Sequence, residues 1–73
     1  MTKKELFAIL RNADIETARG GYCARFEDAN DFVQARKALA AVGTLVEKTA
    51  LAVVYRVSVG AGIKHVIIVD DDC

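Results

Sequence analysis

The chain has no proline, and its charge leans to neither sign: ten Lys and Arg balance ten Asp and Glu in 73 residues. A proline-free composition with 53% hydrophobic and 27% charged residues belongs to a folded globule and excludes a disordered segment. The missing basic excess argues against a dedicated nucleic-acid binder, which usually carries one. Zero net charge also weakens repulsion between molecules, which favours self-association or partner binding. Long hydrophobic runs are missing too. Leu6 to Leu10 is too short for a secretory signal, and no run approaches the length that spans a bilayer. The expected location is therefore the cytoplasm, with no membrane contact. There the only two cysteines, Cys23 and Cys73, stay reduced.

What is present is a β-rich second half. Leu51 to Val59, then Gly60, Ala61 and Gly62, then Ile63 to Val69 reads as two strands joined by a tight glycine turn. Leu51, Val53, Tyr55, Val57 and Val59 share one face of the first strand; Ala52, Val54, Arg56 and Ser58 share the other. A three-residue loop at 60–62 places Ile63, His65, Ile67 and Val69 with the core set and Lys64 beside Ser58. A two-residue loop at Ala61 and Gly62 swaps those faces, because the side-chain period along a strand is two. The three-residue loop is preferred, since it gives Lys64 a polar neighbour.

In the first half, Thr2 and Glu5 have the spacing of a capping box, so a helix starts at Lys3 and ends near Asn12 to Asp14. Ile15 to Thr17 reads as a loop or short extended piece. After the break at Gly20 and Gly21, residues 22–27 alternate as a half-buried strand. Asp28 is placed to cap a second helix with the stripe Phe32, Ala35, Leu39 and Val42, ended by Gly43. Thr44 to Glu47 is a short extended candidate. The fold class expected is α+β, in the order α-β-α-β-β. Two helices pack on one face of a small antiparallel or mixed sheet of three to four strands, and residues 1–73 form a single domain. The stretch from Tyr22 onward resembles, in element order alone, a truncated ferredoxin-like unit.

Chemistry-bearing constellations are sparse. His65 is the only histidine, and a strand-borne Ser58 and His65 without an oxyanion donor do not make a catalytic site. Cys23, His65 and Cys73 lack the close-spaced pairs of a metal site. The glycine pairs lead into strands, not helix N-termini, and so read as turns rather than phosphate cradles. No cofactor, metal or catalytic residue is expected, and the chain reads as not an enzyme.

The expected partner-binding residues are Arg25, Arg56 and Lys64 on one exposed sheet face, His65, and the solvated acidic tail Asp70, Asp71 and Asp72. By elimination, the expected function is a small non-enzymatic regulator or inhibitor working by protein–protein contact, with an apolar sheet edge ready for pairing. In size and character the chain is similar to accessory proteins of bacteriophages and mobile elements, including anti-CRISPR proteins, which would work in a host cytoplasm. Nucleic acid is the less favoured partner: sheet-based RNA readers stack bases on aromatics, and Tyr22 and Tyr55 fall on the core face. Assembly into a homodimer or larger oligomer is the remaining alternative.

Overall fold

The computed structural model describes residues 1–18 and 20–70. Along the chain run α1 (Lys3–Ile9), β1 (Asp14–Ala18), β2 (Gly21–Phe26), α2 (Ala29–Val42), β3 (Gly43–Lys48), β4 (Ala52–Val59) and β5 (Gly62–Asp70). The strands form one five-stranded sheet in the order β1-β2-β5-β4-β3. β2 and β5 run parallel, and the other neighbours are antiparallel. The α+β class holds and the sheet is mixed, one of the two arrangements expected, but it has five strands rather than three or four. The order becomes α-β-β-α-β-β-β because residues 14–18 pair with β2 and residues 43–48 pair with β4, each as a full strand.

Both helices start as their capping residues dictate. The Thr2 hydroxyl accepts from the Glu5 backbone N–H at 3.1 Å, and the Glu5 carboxylate accepts from the Thr2 N–H at 3.3 Å. That reciprocal pair satisfies two donors that the first turn leaves open. The Asp28 carboxylate accepts from the Asn30 N–H at 2.8 Å at the start of α2. Phe32, Ala35 and Leu39 of α2 are buried as expected, whereas Val42, at 49% exposed, drops out of the stripe.

One face of the sheet carries the core. Ala24 and Phe26 from β2, Val66 and Ile68 from β5, and Val53, Tyr55, Val57 and Val59 from β4 pack against Leu6, Leu10, Phe32, Ala35 and Leu39. Two edge-to-face ring pairs tie the layers together: Phe26 with Phe32 at 6.3 Å, and Phe7 with Tyr22 at 5.3 Å. Both helices therefore lie on this face.

The hairpin exists, but its register differs from the preferred one. Val59 pairs with Gly62, Ser58 with Ile63, and Val57 with Lys64, so the loop is Gly60 and Ala61. Gly60 has φ +59°, and among the described residues only glycines have positive φ. A glycine in the first loop position followed by an ordinary residue is the II′ pattern, whose twist matches the flanking strands. This register buries Val66 and Ile68 completely and sends Ile63, His65, Ile67 and Val69 to the opposite face. The expected register would have turned His65 into the core along with Ile63, Ile67 and Val69, whereas the observed one leaves the imidazole exposed. Nor does the hairpin reach an edge: β5 is the central strand and β4 lies next to it, which leaves β1 and β3 as the edges.

Candidate functional site

The strand registers lay the second face of the sheet out as rows of neighbours. The middle row reads Glu16, Cys23, Ile67, Val54, Glu47 across β1, β2, β5, β4 and β3. On one side of it lies the row Asp14, Arg25, Val69, Ala52; on the other, Gly21, His65, Arg56, Thr44. Cys23, Ile67, Val54, Val69 and Ala52 are half-buried by one another, while Asp14, Glu16, Arg25, Arg56, His65 and Glu47 are exposed around them. Ile63, 64% exposed, extends the apolar set beyond His65 toward the hairpin turn. No helix or loop among the described residues covers this face. A sheet with one wet face normally alternates to polar residues there; this mixed sheet keeps an aliphatic centre inside a charged ring.

Arg25 and Arg56 share this face as expected, and His65 stands directly beside Arg56. Lys64 does not join them. It pairs with Val57 and projects with the helix-covered face, because the observed register turns every residue of β5 over relative to the expected one. Asp70 is the last residue of β5 rather than part of a free tail. Asp71 and Asp72 lie outside the described residues. Glu16, Glu47, Val54 and Ile67 went unpredicted as site residues. The alternation of Asp14, Ile15, Glu16 and Thr17 was the available signal for Glu16.

The arrangement offers little for bond-making chemistry. Ser58 faces Ile63 while His65 faces Arg56, and among the described residues no hydrogen bond joins Ser58 to His65. No group of three or more His, Cys, Asp or Glu side chains among the described residues could hold a metal ion. A shallow cleft of about 320 Å³ between α2 and β4 is lined by Val33, Arg36, Lys37, Ala40 and Tyr55, which pair no acid with a base or nucleophile. No helix among the described residues is long and apolar enough to cross a membrane.

The edges are blunted. β3 leaves Leu45 and Val46 about half exposed, but its pairing with β4 shifts between Leu45 and Glu47, and Glu47 and Lys48 follow. A bulge and charges are the usual devices that stop an edge from accepting another strand. β1 is five residues long and carries Asp14 and Glu16. The broad face carries a contiguous apolar centre without these blunting devices. Compared with known proteins, the chain matches no family, no curated sequence and no solved structure.

Proposed function

We propose that this chain is a small non-enzymatic protein-contact domain, one that regulates or inhibits by seating the uncovered face of its sheet on another protein. The observation that carries this reading is the half-buried row Cys23, Ile67 and Val54, ringed by charges and covered by none of the described residues. Apolar residues at the centre of a patch with a polar rim are the anatomy of a protein interface. Nucleic acid fits less well. Tyr55 is 4% exposed and Tyr22 packs on Phe7, so neither aromatic is presented for base stacking. The carboxylates of Asp14, Glu16 and Glu47 on the same face would repel phosphates.

Substituting Ile67→Glu tests the reading, because that side chain points away from the core. The variant is expected to keep its circular dichroism spectrum while losing both self-association and every stoichiometric protein partner captured by the wild type. If the variant associates and captures as the wild type does, this face is not the contact surface.

A further inference from the structure

The charges around the uncovered face are arranged so that the face complements itself. On a sheet lattice with about 4.8 Å between strands and about 6.8 Å between alternate residues, Ile67 sits at the centre of the pattern. Arg25 and Arg56 lie on diagonally opposite sides of it, each about 8 Å away on that lattice. Glu16 and Glu47 lie at the two ends of the Ile67 row, each about 10 Å away. The direction from Ile67 to Arg25 is turned about 55° from the direction to Glu16, and Arg56 is turned from Glu47 by the same angle in the same sense.

A two-fold axis lying in the plane of the face, through Ile67 and midway between Arg25 and Glu16, therefore also runs midway between Arg56 and Glu47. Rotation about it lays Arg25 of one copy on Glu16 of the other and Arg56 on Glu47, each pairing occurring twice as an isologous interface requires. Ile67 meets its counterpart on the axis, within a patch that includes Cys23, Val54, Val69 and Ala52. The strands of the two copies then cross at about 55°, between the aligned and orthogonal sheet packings. Among the described residues, none of these two arginines and two glutamates forms an ion pair within the chain. Asp14 falls close to the axis and meets its own counterpart, but at the exposed β1 rim, where salt screens the repulsion. His65 comes to lie near Ala52 of the other copy, away from that copy's arginines.

We infer that the occupant of the uncovered face is a second copy of this chain, registered by reciprocal Arg25–Glu16 and Arg56–Glu47 contacts around Ile67. This rests on the face being a protein-contact surface and goes further by naming what it contacts. Five strands of this length offer about 500 Å² per copy, so the interface totals about 1,000 Å², the lower limit for a specific complex. The dimer is accordingly expected in the micromolar range.

Two double variants test the inference by sedimentation velocity from 10 µM to 1 mM, at about 0.15 M salt, where long-range attraction is screened. One carries Arg25→Glu with Arg56→Glu, leaving only acids at the four positions; the other carries Glu16→Arg with Glu47→Arg, leaving only arginines. The wild type is expected to reach twice the 7.9 kDa chain mass. Each variant alone should dimerise at least tenfold more weakly, and an equimolar mixture should recover the dimer. Arg36→Glu with Lys37→Glu on α2 makes the same charge change away from this face, and is expected to dimerise as the wild type does. A wild type that stays monomeric at 1 mM, or variants that dimerise unimpaired, would overturn the inference. So would a mixture that recovers nothing, since wrongly paired charges cannot rescue each other. If the wild type is monomeric yet Ile67→Glu still loses captured proteins, only the second copy is excluded and the wider reading stands.

Discussion

The backbone of Gly21 lies directly against that of His65 across the parallel β2–β5 pair, with the His65 N–H donating to the Gly20 carbonyl at 3.0 Å. A Cβ at position 21 would collide with the His65 carbonyl oxygen, a backbone atom that cannot swing aside. This contact is the first of the six residue pairs that join the β1–β2 unit to the β3–β4–β5 meander.

Gly21→Ala is therefore expected to destabilise the fold by about 1–3 kcal/mol, the usual cost of overpacking. Gly62→Ala is the matched control: nothing lies within 4 Å of the place its methyl group would take, and its φ is not positive. That substitution should be neutral, or stabilising by up to about 1 kcal/mol through the unfolded state. Urea unfolding of the two variants side by side checks both signs.

Leu39 is fully buried between α2 and the sheet, whereas Val42, one turn on, is half exposed. Leu39→Ala is expected to cost about 2–5 kcal/mol and Val42→Ala within about 0.5 kcal/mol. Equal losses in thermal or chemical unfolding would mean that α2 is rotated from the position described.

The two helix caps make a smaller, separate claim. Thr2→Ala and Asp28→Ala should each cost about 0.5–2 kcal/mol. Because α1 and α2 are capped at opposite ends of the first 28 residues, far apart in the hydrogen-bond network, the double variant should show nearly additive losses.

The hairpin register is open to chemical trapping. In a Cys23→Ser, Cys73→Ser background, Ser58→Cys with Ile63→Cys should oxidise readily to an intramolecular disulfide, since these residues are directly opposed. Ser58→Cys with Lys64→Cys should not, because Lys64 points to the other face. Mass spectrometry after mild oxidation distinguishes the two.

What was legible in the sequence divides along local and non-local lines. The capping box at Thr2 and Glu5, the Asp28 cap, the stripe of Phe32, Ala35 and Leu39 and the hairpin itself are all specified by residues within a few positions of one another. The parallel partnership of β2 with β5 is not, since 35 or more intervening residues leave no local trace of it. β1 escaped full recognition because one apolar residue, Ile15, is all that marks its inner face. The short extended stretch expected at Thr44 to Glu47 is β3; exposed from Thr44 to Lys48, it has no inner face that would mark β4 as its partner. The register failed for a chemical reason: residues 63–69 are apolar at five of seven positions, so either face resembles a core, and the polar pairing of Lys64 tipped the choice wrongly. Part of the site followed that error. Arg25, Val54 and Arg56 fall on the observed face by strand alternation alone, whereas Ile67 is hidden by a register that assigns β5 to the wrong face.

The central claim, that this chain meets other protein through the uncovered sheet face, is tested most directly by backbone amide NMR of the purified chain over a dilution series. The account expects concentration-dependent shifts at Cys23, Arg25, Val54, Arg56, Ile67 and Val69, with the outward side of α2 unchanged. Shifts gathered instead on Val33, Arg36, Lys37 and Ala40, with the sheet face silent, would contradict it.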